Sequence, residues 1–131
     1  MSENEKDQKE DRSEWTVQQW TDHARLAWIY DNDRHPNSDE GLDFENANLE
    51  GANLEGFCLE EAWMKNANLK GANMIGVYLE SVVLRDANLS GANLSKVRGG
   101  YINFQDANLE DAIMKEINCQ RSRLDGASLQ R

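Results

Sequence analysis

From residue 42 onward the chain advances in steps of five. An apolar residue stands at Phe44, Leu49, Leu54, Leu59, Met64, Leu69, Met74, Leu79, Leu84, Leu89, Leu94, Phe104, Leu109, Met114, Cys119, Leu124 and Leu129, with no insertion or deletion, and only Gly99 breaks the series. Two residues before each lies a second small or apolar side chain, usually alanine (Ala47, Ala52, Ala62, Ala67, Ala72) and elsewhere Phe57, Val77, Val82, Val97, Ile102 or Ile117. A helix does not explain this period, because at ~100° per residue successive leucines would advance about 500° and wander round the cylinder. In an extended chain, residues two apart share a face, so both apolar residues point inward and the one between them points out. The other two positions, mostly Gly, Asn, Asp, Ser, Glu or Lys, suit a turn. Each unit is therefore one short edge and one corner.

A second period, of twenty, says how many edges close a coil. Ala47, Ala67, Ala87 and Ala107 open near-identical units, and the bulky inward residues Phe57, Val77, Val97 and Ile117 also recur at twenty. Stacking of like side chains between successive four-sided coils produces that column-wise similarity. The commonest unit, Ala-Asn-Leu-Glu-Gly, resembles the motif Ala-(Asp/Asn)-Leu-x-x of the pentapeptide repeat family, over 18 consecutive units in residues 42–131. The resemblance implies an all-β solenoid, a right-handed quadrilateral β-helix of about four and a half coils, roughly 22 Å long at the ~4.8 Å strand spacing. Gly99 lacks the central side chain and Ser122 replaces the small apolar one, so a thinner core is expected there, partly offset by Phe104.

Composition divides the rest of the chain. The formal charge is −10, but residues 47–131 carry eleven acids and nine bases, so most of the excess lies upstream. Residues 1–13 read as a disordered acidic tail, 14–31 as an N-terminal capping helix, and 32–41 as an acidic, turn-rich connector. Ser13 or Thr16 suits the helix N-cap, Thr16 with Gln19 in capping-box spacing. At 100° per residue Val17, Trp20, Ala24, Ala27 and Trp28 share one stripe, expected to lie over Phe44 and Leu49 and cover the open end of the solenoid. Trp15, Leu26, Ile29 and Tyr30 form another. The start is charged and lacks an apolar signal core, and no stretch approaches the ~18 apolar residues of a membrane span, so a cytoplasmic protein without membrane contact is expected. Cys58 should face outward and Cys119 inward, about 14 Å apart along the coil axis, too far for a disulfide.

Chemistry-bearing motifs are scarce. His23 and His35 have no neighbours at metal-ligand spacing and read as surface residues. Asp31, Asn32 and Asp33 open like a calcium loop, but Pro36 stands where such a loop needs glycine. Gly99 and Gly100 read as a corner or bulge rather than a phosphate loop. A coil filled by its own side chains offers no desolvated pocket. No catalytic residue, metal, cofactor or small-molecule substrate is therefore expected, and the chain should not be an enzyme.

Function then falls to the outward columns. On the first two faces these are Asn48, Asn68, Asn88, Asn108 and Asn53, Asn73, Asn93, Ile113, expected to bond along the coil axis as ladders. The third reads Cys58, Tyr78, Arg98, Asn118 and the fourth Trp63, Val83, Asn103, Arg123, both off consensus without losing register. Trp63, Tyr78 and Val83, with Ile75 at the preceding corner and Arg98 beside them, form a candidate partner-binding patch; the N-terminal helix folding down over it is the other explanation. Leu124 and Leu129 in the last coil are a candidate homodimer end, with fraying softened by Arg121, Arg123 and Arg131 as the alternative. The leading expectation is a protein-protein interaction or scaffold module. The family resemblance also implies a second, a DNA-mimicking modulator of DNA gyrase that gives antibiotic or toxin protection, which requires acidic rows. Direct nucleic-acid binding is disfavoured by the acidic balance and the lack of a basic stripe.

Overall fold

The computed structural model describes residue 12, residues 14–31, with side chains given up to Ala24 in that helix, and residues 42–129. The expected tail apart from Arg12, the connector with His35 and Pro36, the side chains of Leu26, Ala27, Trp28, Ile29 and Tyr30, and Arg131 lie outside the described residues.

The four-sided coil is present, with a pairing register of twenty throughout. Parallel bridges join Asn48 to Asn68, Asn68 to Asn88, Asn88 to Asn108 and Asn108 to Ser128 on the first face, and Cys58 to Tyr78 to Arg98 on the third. The backbone repeats one bonding scheme in nearly every unit. The central N–H donates forward to the next coil (Leu49 to the Asn68 carbonyl, 2.7 Å), and the outward residue donates back (Asn68 to the Ala47 carbonyl, 2.8 Å). The corner N–H also donates forward (Gly51 to Lys70, 2.8 Å), and Ala52 closes its own turn onto Leu49 at 3.0 Å. Three of the five N–H groups in such a unit thus bond along the axis, which lets edges too short to be strands by themselves hold a stack. Inside, Leu49, Leu54, Leu59, Met64, Leu69, Met74, Leu79, Leu84, Leu89 and Leu94 are fully buried between alanines and valines. Alanine at the neighbouring inward position leaves the room that these larger side chains fill.

The outward asparagines behave differently from the expected ladders. Their Oδ1 atoms accept the N–H two residues on, as at Asn68 with Lys70 (3.1 Å), Asn88 with Ser90 (3.1 Å), Asn93 with Ser95 (3.0 Å) and Asn108 with Glu110 (3.0 Å). Each asparagine caps its own corner, and with the acceptor so committed few axial bonds form; one is Asn73 Nδ2 to Asn53 Oδ1, 3.3 Å. This local bond favours the turn in every coil.

Gly99 also departs from expectation. It lies within β1 (Arg98–Gly100), which pairs in parallel with β2 (Asn118–Gln120). Its φ is +153°, and an added Cβ would sit 2.6 Å from the Leu79 carbonyl carbon, so the backbone itself occupies the space a side chain would need. Ser122 is coupled to this change. In most units the inward residue donates to the carbonyl three before it, as Ala107 does to Phe104 at 2.9 Å, whereas the Ile102 N–H donates to Ser122 Oγ at 3.1 Å. The two departures from consensus thus meet in the structure, where the Ser122 hydroxyl accepts the N–H that follows the Gly99 corner.

Helix α1 (Val17–Asp31) starts later than the expected Glu14, because Thr16 is its N-cap and a turn bond from Trp15 N–H to the Arg12 carbonyl (3.0 Å) precedes it. Thr16 Oγ1 accepts the Gln19 N–H (3.2 Å) and Gln19 Oε1 accepts the Thr16 N–H (2.8 Å), a reciprocal capping box. Trp20 and Ala24 are buried in the solenoid core cluster, with the Trp20 ring 5.6 Å from Phe44. Trp15 lies 4.9 Å from Trp20, and the Arg12 guanidinium stands 4.9 Å above the Trp15 ring. His23 is not the surface residue expected: it is half-buried, edge-on to Trp15 at 5.5 Å and to Phe44 at 5.4 Å, with Nε2 3.2 Å from Arg12 Nη1.

Gly99→Ala should destabilise by more than 2 kcal/mol, roughly, because both its φ and the Leu79 backbone oppose a methyl group. Gly91→Ala, which meets nothing within 4 Å but sits at φ +67°, should lose only about 1 kcal/mol. Urea unfolding of the two variants checks the order.

Candidate interaction surface

Every corner places one residue in the left-handed region, with φ between 55° and 73° from Asn46 to Gly126. Glycine takes that conformation freely and Asn or Asp tolerates it, while other side chains cost roughly 1–2 kcal/mol. Between the fourth and first faces the residues are Asn46, Asn66, Asp86, Asp106 and Gly126, and between the first and second Gly51, Gly71, Gly91 and Asp111. The corner from second to third face has Gly56 and Gly76, then Lys96 and Glu116. Only the corner between the third and fourth faces lacks a tolerant residue altogether: Glu61, Ser81, Tyr101 and Arg121 have φ of 60°, 56°, 55° and 56°.

The same surface has given up its asparagine caps. Cys58, Tyr78 and Arg98 stand on the third face where the first two faces carry Asn, and Trp63 and Val83 do so on the fourth. At one place a neighbour makes up the loss: Glu80 Oε2 accepts the Gly100 N–H at 2.6 Å, the bond an outward Asn in place of Arg98 would have made. One kind of local stabilisation is thus absent along this edge of the rod and the other reduced, with Asn103 still capping Gln105 at 2.9 Å, and backbone strain concentrated this way marks sites selected for something besides folding.

The side chains placed there are large and accessible. Trp63 is 47% exposed, Tyr78 36% and Tyr101 55%, and the exposed large aromatics among the described residues all belong to this edge. Val83, paired with Trp63 across the coils, is half-buried, as is Ile75 at the corner before the third face, while Arg98 is exposed. The faces are those expected from the columns: Trp63 pairs with Val83 on the fourth and Tyr78 with Arg98 on the third. Among the described residues, helix α1 packs by Trp20 and Ala24 at the Phe44 end of the core. The Tyr78 hydroxyl is pushed above the ordinary phenol value of 10.0, first by partial burial and then by the carboxylates of Glu60 and Glu80, with Arg98 opposing, so at neutral pH it is a hydrogen-bond donor.

Tyr101 was missed by sequence reasoning, because attention went to the outward columns and Tyr101 is a corner residue. Its signal was a bulky ring at a position that glycine or asparagine fills elsewhere. Arg121 Nη1 donates to its hydroxyl at 2.8 Å, and the guanidinium stands 5.8 Å from its ring centre. The pair holds a cation in fixed orientation beside two exposed faces.

The other candidates lie apart. Leu124 and Leu129 are exposed, and burial falls off over the last coil from Ala112. Cys58 and Cys119 are free and half-buried. Among the described residues, no group of three or more His, Cys, Asp or Glu is placed to hold a metal, and no helix is long and apolar enough to cross a membrane.

With the geometry in place, the comparisons are consistent. Residues 40–66, 62–98 and 102–131 match the family model described as pentapeptide repeats, in eight copies, and the breaks leave out Gly99, Gly100 and Tyr101. The chain belongs to the pentapeptide repeat family, whose members form right-handed quadrilateral β-helices. Among solved structures it is similar to the pentapeptide repeat protein Rfr23 of the cyanobacterium Cyanothece 51142, with 26% identity and a TM-score of 0.59 over 66% of this chain and 56% of that one. HetL of Nostoc sp. strain PCC 7120, described as involved in heterocyst differentiation regulation, shares 24% identity at a TM-score of 0.53 over 70% and 52%. The chain thus spans about half the length of these two structures. A structure of QnrB1, a plasmid-mediated fluoroquinolone resistance protein, matches at 18% identity and a TM-score of 0.39 over 64% and 37%. No curated sequence matches the chain.

Replacing Glu61 by asparagine should raise stability by about 0.5–1 kcal/mol, because asparagine accepts the left-handed conformation that glutamate resists. Gly51→Glu, the converse change at a consensus corner, should lower it by a similar amount; thermal melts of the two variants measure both.

Proposed function

We propose that the protein is a non-enzymatic interaction module of the cytoplasm that presents the edge between its third and fourth faces to a protein partner. The observation that carries this reading is the run of left-handed Glu61, Ser81, Tyr101 and Arg121 beside Trp63 and Tyr78. Aromatic and arginine side chains on a rigid backbone make good anchors, since little entropy is lost when they are fixed. In this reading α1 is the lid of a rod of about four and a half coils: Trp20 and Ala24 cover Phe44, whose core would otherwise face water. The gyrase-mimic alternative draws less support. It needs acidic rows along the axis, yet Glu45 is followed in its column by Lys65, Glu50 by Lys70 and Glu55 by Ile75.

A tagged full-length chain and its Trp63→Ala/Tyr78→Ala variant, used side by side to capture partners from lysate of the source organism, test the reading. A partner held by the wild type and lost by a variant of unchanged melting temperature is the expected result. Equal capture by both, or a gyrase subunit on both, contradicts it. Trp20→Ala should behave oppositely, losing about 3–5 kcal/mol of stability in urea unfolding as a buried aromatic does.

A further inference from the structure

The edge between the third and fourth faces carries a charge gradient as well as aromatics. Taking both faces and their corner coil by coil, residues 57–64 hold Glu60 and Glu61, net −2; residues 77–84 hold Glu80, net −1; residues 97–104 hold Arg98, net +1; and residues 117–124 hold Arg121 and Arg123, net +2. The sign therefore changes midway along the rod. Arg123 is tied to Asp125 at 3.0 Å, while Glu60, Glu61 and Arg98 have no ion-pair partner among the described residues.

We propose that this edge binds a second copy of the chain, antiparallel, about a two-fold axis passing between the second and third coils. The inference rests on reading the edge as an interaction surface and names its partner. A two-fold contact is isologous, so a surface must be complementary to its own reversed image. Reversal sets coil one against coil four, −2 against +2, and coil two against coil three, −1 against +1. The opposite side of the rod fails this requirement. There residues 44–57, 64–77, 84–97 and 104–117 sum to −3, +2, +1 and −3, so reversal would set like charge against like. Two of the three exposed aromatics, Trp63 and Tyr78, stand in the acidic half, and reversal brings them level with Arg121, Arg123 and Arg98 of the other copy, a cation–π arrangement, while Tyr101 in the basic half is already against Arg121 of its own chain. Four coils at ~4.8 Å make the contact only about 19 Å long, below the size of a permanent dimer, so the association is weak, reversible and salt-sensitive.

Sedimentation equilibrium of the full chain over a concentration series, at about 50 mM and about 500 mM salt, tests this, with far-ultraviolet circular dichroism confirming the fold of each variant. The wild type should dimerise at low salt and weaken roughly tenfold or more at high salt. Glu60→Lys/Glu61→Lys and Arg98→Glu/Arg121→Glu should each be monomeric alone, and an equimolar mixture of the two should regain the dimer. That rescue is not produced by a merely structural defect. A wild type that stays monomeric at low salt overturns the proposal, as does association that survives both charge variants or is lost only with Leu124→Glu. If the chain is monomeric while capture of another protein still depends on Trp63 and Tyr78, the interaction surface stands and only its assignment to a second copy falls.

Discussion

The molecule depends on one constraint, the twenty-residue register of its backbone hydrogen bonds. Each edge is too short to stand as a strand, so its N–H groups are satisfied only if the next coil arrives in register, as when Leu49 donates to Asn68 and Asn68 back to Ala47. A single inserted residue would move every downstream side chain one place round its unit, putting leucine at a corner in water and asparagine in the core. This explains why the inward positions vary only within a narrow range of size, and why the departures at Gly99 and Ser122 occur together. The Leu79 backbone leaves no room for a side chain at Gly99, and Ser122 in the next coil accepts the Ile102 N–H that follows it.

The register also frees the outside of the rod. Since axial bonds and the leucine stack hold the coil, outward and corner side chains contribute only local terms: an asparagine that caps a turn, or a glycine that relaxes a left-handed φ. Most of the rod keeps those terms. One edge gives up the tolerant corner residue in every coil and most of the asparagine caps, and most of the side chains found there instead are aromatic, acidic or basic. A structural explanation would need these side chains to be covered, yet Trp63, Tyr78 and Tyr101 are exposed, and the described side chains of α1 that are buried, Trp20 and Ala24, pack into the core instead. Strain with exposure is the pattern of a surface shaped by a partner.

The coil was legible in the sequence because periodicity alone determines which residues share a face. The capping box at Thr16 and Gln19 was equally plain, being a local spacing rule. Other features needed coordinates. That asparagine Oδ1 atoms cap their own corners instead of bonding along the axis depends on which acceptor lies nearer, a matter of tenths of an ångström. His23 looked like a surface residue, since nothing in the order of the chain says that Phe44 meets the helix at that turn. The candidate edge was read in part: Trp63, Tyr78, Val83 and Arg98 stood out as broken columns, whereas Tyr101 and Arg121 stand at corners, where only φ values reveal the strain.

The claim that the edge between the third and fourth faces is where this protein meets its partner is tested most directly by amide chemical-shift mapping. The isotope-labelled chain would be followed as its own concentration rises, and again on titration with any captured protein. The account predicts shifts confined to residues 58–63, 78–83, 98–103 and 118–123. Shifts centred instead on the asparagine faces, or on Met114, Leu124 and Leu129 in the last coil, would contradict it.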